Sequence, residues 1–330
     1  MNDNNMSDTP FFSVLMLTYN SSWDKTRQTL YSVLVQKDVS FEIIIADDGS
    51  EENNFEKIRD YLASWNFTAY SLVANERNQG IVRNFNSGLV LCKGEYIKPL
   101  SPGDFLYDEN TLSACREAIK GNDAAVYFGR AFFYGRESDT VKVFADKANP
   151  RDLRPYLKNN ARKIKRNYLL KRDYILGASV IYKKDVFKRY FEEIMSTVKY
   201  AEDCTMIYMI ASGEKAKYMK MDAIQTNRWG GVLWYEYSSG ISTNGDSHWK
   251  KLLHADNKNT FRLLEEKQLI PHWLYELHYS DNKIKRLVIR LMHDPASFVL
   301  RFVPGKRRIN LKGWGTAVCD SESLKEILGA

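Results

Sequence analysis

Cysteine is scarce in this chain: four residues, Cys92, Cys115, Cys204 and Cys319, are spread over 330 positions with no C-x-x-C pair among them. That spacing excludes a zinc ribbon and a disulfide framework, and it fits a reducing compartment. Long apolar runs are absent, none approaching the ~20 residues of a bilayer span. The opening MNDNNMSDTP is polar and lacks the apolar core of a secretory signal. Together these absences predict a cytoplasmic protein with a disordered segment over 1–10 and, at most, peripheral contact with a membrane.

Other absences remove whole function classes. The turn after the first apolar run reads Thr18-Tyr19-Asn20-Ser21-Ser22 rather than G-x-G-x-x-G, which excludes a dinucleotide oxidoreductase. It is not a Gly-rich basic loop either, which argues against a sugar nucleotidyltransferase. No nucleic-acid reader motif accompanies the positive charge. Internal repeats and low-complexity linkers are missing.

What is present is a chain that can build a core. Hydrophobic residues make up 44% of it, enough for one large α/β domain with an appendage. The net charge of +7 leaves two readings open: ordinary solubility, or an anionic partner such as a nucleotide diphosphate or an anionic lipid. Short apolar runs at 11–18 and 41–46 suit strands buried on both faces. Helical spacing follows each, at 24–36 and 53–65, and the alternation continues with a weaker strand at 69–74, a helix at 81–92 and a strand at 96–100. Such order predicts a mainly parallel, Rossmann-like sheet with helices on both faces. A strand at 178–182 and helices at 184–197 and 202–212 come next; from about 226 the texture turns aromatic and loop-like, then helical through 330.

Ligands of such sheets bind beyond the carboxyl ends of the strands. Three polar clusters stand there: Thr18-Tyr19-Asn20, Asp47-Asp48-Gly49-Ser50, and Ser101-Pro102-Gly103-Asp104. A nucleotide-sugar site needs a carboxylate or amide for the base, cations or a metal for the diphosphate, and a base for the attacking hydroxyl. Asp47-Asp48 can serve the first need. Taken alone, the same four residues also read as an Asx-turn with Ser50 capping the next helix.

The succession of motifs resembles the family 2 glycosyltransferases of the GT-A fold, of the bacterial polysaccharide-biosynthesis type. It runs from Ser13–Asn20 through Phe41–Ser50, Asn78–Gly88 and Lys93–Ile97 to Glu202-Asp203, covering roughly 11–215. The resemblance implies a catalytic domain over 11–225 and an acceptor-side and helical region over 226–330. It further implies an inverting, hexosyltransferase-like transfer from a nucleotide sugar, commonly a UDP-sugar, to a glycan or lipid-linked glycan. Thr18, Tyr19, Asn20, Asp47, Asp48 and Arg83 would bind the nucleotide, and Asp203 would be the general base. Asp104 would hold Mn²⁺ or Mg²⁺; Glu202, Arg228 and Trp229 would face the acceptor or leaving group. The family's usual Leu-Asp-x-Asp-Asp is reduced here to Leu100-Ser101-Pro102-Gly103-Asp104. That loss leaves open a metal-independent enzyme, and also a non-catalytic sugar-nucleotide-binding scaffold subunit.

Three further segments keep two readings each. The basic run 151–172 is a solvated helix face or a surface for an anionic acceptor or lipid. Trp229, Trp234 and Tyr235 form a sugar-stacking platform or pack under a loop; His248 lies nearby. Ile284, Leu287, Val288 and Leu291 recur at helical spacing among Lys283, Lys285, Arg286 and Arg290, which describes a helix packed on its own domain or one lying on an anionic membrane.

Overall fold

A computed structural model describes residues 9–137, 140–144, 147–220, 231–237, 247–299, 312, 314 and 322–329. The strands in chain order are β1 (Phe12–Thr18), β2 (Phe41–Asp47), β3 (Tyr70–Ala74), β4 (Tyr96–Leu100), β5 (Phe105–Leu106), β6 (Val126–Phe128), β7 (Arg130–Glu137), β8 (Thr140–Phe144), β9 (Val180–Lys183), β10 (Ala216–Tyr218) and β11 (Gly231–Glu236). The first helices are α1 (Trp23–Leu34), α2 (Phe55–Ser64), α3 (Ile81–Leu89), α4 (Thr111–Ile119), α5 (Arg154–Leu157), α6 (Ala161–Lys171), α7 (Lys184–Ile194) and α8 (Cys204–Ser212). After β11 come α9 (Ser247–Glu266), α10 (His272–Tyr279), α11 (Lys283–His293), α12 (Pro295–Val299) and α13 (Glu322–Gly329).

Seven strands form the main sheet in the order β10-β6-β9-β4-β1-β2-β3. β1 pairs in parallel with β2 and β4, and β2 with β3, while β9 runs antiparallel between β4 and β6. The apolar runs are buried on both faces because successive side chains point opposite ways. Phe12, Val14 and Met16 join Ile43 and Ile45 under Leu30, Val33, Ile58 and Leu62 of α1 and α2. Leu15 joins Ile44 and Ala46 on the other face, under Val82 and Phe85 of α3 and the apolar side of α7 and α8. α3 approaches so closely that a Cβ on Gly88 would lie 2.3 Å from the Leu15 side chain.

A second, four-stranded sheet, in the order β5-β11-β7-β8, escapes the sequence reading. β11 pairs in parallel with β7, about a hundred residues earlier, so no local turn signals it. The segment read as an aromatic acceptor loop is therefore partly a strand. Two boundaries also move. The strand expected at 178–182 begins as a 3-10 turn, Gly177–Ser179, and the helix expected from 202 begins at Cys204.

Candidate functional site

The register of β1 on β2 places Thr18 beside Asp47, so these strands end together. Beyond that edge a cavity of about 800 Å³ is lined by Thr18, Tyr19, Asp48, Asp104, Glu202, Asp203 and Tyr235, among others. Asn20, Asp47 and Arg83 are not on its wall. Arg228 and Trp229 lie outside the described residues.

Adjacent carboxylates in the Asp-Asp-Gly-Ser turn have different tasks. Asp47 clamps the turn: its oxygens accept from the Thr18 hydroxyl at 2.9 Å, the Ser50 amide at 2.8 Å and the Ser50 hydroxyl at 2.7 Å. Gly49 sits at φ +72°, and a Cβ there would strike the Arg77 backbone at 2.5 Å, so only glycine fits. Asp48 reaches across to the turn before α3. It accepts from the amides of Gln79 and Gly80 and from the Asn75 side chain, each at 2.9 Å. A carboxylate here satisfies amides that the start of α3 would otherwise leave open, and it favours the positive end of the helix. Asp48 also lines the cavity.

Asn20 buttresses the same turn. It adopts φ +45°, its amide donates to Ser50 Oγ at 2.8 Å, and its Oδ1 accepts from the Glu51 amide at 3.3 Å. Arg83 is exposed on α3.

Ser101-Pro102-Gly103-Asp104 is a β-turn closed by Asp104 N–H to Ser101 O at 2.9 Å, with Gly103 at φ +103°. The Tyr134 hydroxyl donates to Gly103 O at 2.7 Å and ties this turn to the second sheet. Asp104 Oδ1 accepts from the Glu236 amide at 3.4 Å. Burial pushes its carboxyl up to about 7, against the opposing pull of Lys98. Lys98 is fully buried in β4, and its ammonium donates to the carbonyls of Pro99 and Ala178. Burial pushes it down to about 8. The one signal for it in the sequence is a lysine inside an otherwise apolar strand.

Glu202 and Asp203 line the same cavity. Asp203 stands at the N-cap of α8 but makes no capping bond. Its carboxylate instead lies over Gly177, where a Cβ would be 2.0 Å from Oδ1. Burial raises both carboxyls, and the Asp203 charge raises Glu202 further. Two neighbouring buried carboxyls resist ionising together. The backbone leading to it is held by Asp256 of α9, which accepts from the amides of Lys199, Tyr200 and Ala201 at 3.2, 2.6 and 3.0 Å.

The aromatic platform is corrected by the structure. Trp234 is fully buried, stacked on Tyr107 with centroids 5.1 Å apart, and donates its indole N–H to Tyr107 O at 3.1 Å. Its β11 position turns it into the second sheet's core. Tyr235, the next residue, points to the cavity, as does Trp249 of α9, which meets Tyr200 edge-on at 5.3 Å. His248 also lines the cavity.

No group of three His, Cys, Asp or Glu side chains that could hold a metal occurs among the described residues. The lone Asp104, facing a buried lysine, fits a cation brought in with a diphosphate better than one held by protein alone.

A mainly parallel sheet, carboxylates beyond its strand ends and a second small sheet closing the cavity define a GT-A glycosyltransferase architecture. The chain belongs to glycosyl transferase family 2, whose family model matches residues 13–191. It is 23% identical to the uncharacterized glycosyltransferase MG025 of Mycoplasma genitalium over 295 residues, covering 86% of this chain and 89% of the relative. The uncharacterized glycosyltransferase MJ1057 of Methanocaldococcus jannaschii is 25% identical over 139 residues, covering 42% and 47%. Among solved structures, S. aureus TarS 1-349 aligns with TM-score 0.52 at 18% identity, covering 89% of this chain and 75% of that one. The same fragment in complex with UDP-GlcNAc aligns with TM-score 0.51 at 18% identity, covering 88% and 73%. Among the described residues no helix is long and apolar enough to cross a membrane.

Proposed function

We propose that this glycosyltransferase moves a sugar, with inversion, from a UDP-sugar to a hydroxyl of a glycan or lipid-linked glycan in cell-surface polysaccharide synthesis. The observation that carries the reading is one cavity lined by Thr18, Tyr19, Asp48 and Asp104 from the strand ends and by Glu202 and Asp203. The UDP-GlcNAc complex of the TarS fragment supports the choice of nucleotide.

The nucleotide lies over Thr18 and Tyr19, with its base toward Asp48. The diphosphate points to Asp104. Asp104 would hold a divalent cation, Mn²⁺ or Mg²⁺, whose charge would stabilise the leaving diphosphate. In this reading Arg228 would supply a cation to the leaving group and Trp229 would face the acceptor, although both lie outside the described residues. Asp203 accepts the proton of the acceptor hydroxyl as its oxygen attacks the anomeric carbon; the new C–O bond forms while the bond to the β-phosphate oxygen breaks, and the nucleoside diphosphate leaves with that electron pair. A carboxylate raised by burial is a better base near neutral pH than a solvated one.

Incubation with a panel of UDP- and dTDP-sugars, Mn²⁺ and glycan acceptors tests this. Transfer with inverted anomeric configuration, read by NMR of the product, is expected. Binding of donors without turnover across the panel would instead favour the scaffold role, for which the single carboxylate at Asp104 is the motivating observation.

A further inference from the structure

α11 is amphipathic, but its apolar side faces away from the protein. Ile284 is 73% exposed, Val288 50%, Leu291 49% and Met292 70%, with Leu287 at 39%. At about 100° per residue these five positions fall within one arc of about 140°. The side turned to the body carries Ile289, the only buried residue of the helix, and His293, whose ring stacks on Trp273 at 3.7 Å with an interplanar angle of 2°. The packed and apolar sides are thus nearly opposite. The helix does pack on its own domain, as the first of the two sequence readings has it, but through Ile289 and His293 rather than through the apolar arc.

The margins of the arc are basic. Lys283 and Arg290 lie toward one edge, and Lys285, paired with Glu276 of α10, lies at the other. Between 283 and 299 the sequence holds four lysines and arginines and one acid, Asp294. That acid is buried and paired with Arg166 of α6 at 3.4 Å. Arg166 also donates to the His293 carbonyl, which brings the basic helix α6, with Arg162 and Lys163 exposed, against the end of α11. Val299 of α12, 57% exposed, extends the apolar surface.

We propose that α11 is a membrane-docking element: its apolar arc enters the headgroup–acyl boundary of an anionic phospholipid bilayer, and the flanking cations contact lipid phosphates. Apolar residues of this size in a contiguous exposed arc call for an apolar partner. The cations select an anionic one. A second copy of the chain fits poorly, because a two-fold contact through the arc would set Lys283 and Arg290 of each copy near their like-charged counterparts. The inference does not depend on the donor-site reading.

Vesicle sedimentation tests it directly. The full chain should pellet with phosphatidylcholine vesicles containing phosphatidylglycerol and stay in solution with phosphatidylcholine alone. The triple variant Ile284→Gln/Val288→Gln/Met292→Gln should lose on the order of tenfold in vesicle affinity. Its circular dichroism and thermal midpoint should stay at wild-type values, since these side chains are exposed. Lys283→Gln/Arg290→Gln should weaken binding and flatten its salt dependence. Wild-type protein that remains in solution with anionic vesicles at low salt overturns the proposal, as does a triple variant that binds like wild type. A concentration-dependent dimer in ultracentrifugation, abolished by the triple variant, assigns the face to a second copy and overturns it too.

Discussion

The Asp203 carboxylate rests on the bare Cα of Gly177, twenty-six positions earlier in the chain. A Cβ at Gly177 would stand 2.0 Å from Oδ1 and 2.6 Å from both Cγ and Oδ2. The glycine is needed for space, so Gly177→Ala must push the carboxylate aside. Turnover should fall by about a hundredfold, with donor affinity held within about twofold of wild type, because the base would be misplaced while the strand-end wall is untouched. Overpacking should cost about 1–3 kcal/mol of stability. Steady-state kinetics beside donor calorimetry would check it; a variant that keeps wild-type kcat would show that the contact does not position the base.

Asp203→Asn keeps the shape and removes the base. Transfer should drop by roughly 10²–10⁴-fold, with donor binding retained. Near-wild-type turnover would rule out Asp203 as base. The same substitution lowers the charge beside Glu202, so the Glu202 carboxyl should titrate at lower pH in the variant, which carboxyl NMR can follow.

Asp48→Ala takes the acceptor from three donors at once. Loss of these bonds should destabilise the protein by roughly 1–3 kcal/mol in urea. UDP affinity should weaken by about tenfold as the Gln79-Gly80 turn loosens. Unchanged nucleotide affinity would confine Asp48 to a structural role.

Asp104 gives a pH-dependent outcome. Its folded carboxyl is pushed up to about 7 from an ordinary 3.8. A carboxyl raised in the folded state favours folding below its unfolded pKa, and that contribution is lost as pH rises through about 7. In chelator, Asp104→Asn should therefore raise the thermal midpoint at pH near 8 relative to wild type, with the gain fading toward pH near 4. Turnover supported by Mn²⁺ should fall in the same variant. Chelation of wild type without donor should leave the midpoint unchanged, since Asp104 alone is a weak cation site. Calorimetry at both pH values decides.

His278 works with the opposite sign. Burial and the nearby charges of Arg172 and Arg290 push its imidazole down to about 3, while its Nε2 holds the Leu169 carbonyl at 2.8 Å. The unfolded chain takes up that proton near 6.5 and the folded chain does not, so wild-type stability falls as pH drops from about 6.5 toward 3. His278→Gln can keep a donor to Leu169 and should flatten this acid slope. Thermal midpoints from neutral to mildly acidic pH would show it; parallel slopes for both proteins would refute it.

Five of the seven main-sheet strands were legible as short apolar runs, such as Phe41–Asp47 after Phe12–Thr18, whereas β6 and β10, three residues each, were too short to show. The second sheet was not, because Trp234 finds Phe132 and Tyr107 only after distant segments meet. The sequence left that tryptophan between a sugar-stacking platform and packing under a loop. Asp47 and Asp48 show the limit at a finer scale. Side by side in the chain, one holds its own turn while the other reaches α3, and the turn geometry that separates them leaves no trace in the residue types. Gly177, Lys98 and Asp256 share this property: each matters through a partner far away in sequence. The exposed face of α11 was visible as a pattern, but its direction needed the packing of Ile289 and His293.

Helix α9 combines two tasks on one stretch. Trp249, Leu252, Leu253 and Asn257 line the cavity, and Asp256, placed among them, holds the backbone ahead of Glu202. Positions 249, 252 and 253 offer a compact library for changing what the cavity admits, with Asp256 left untouched to keep the carboxylate pair in register.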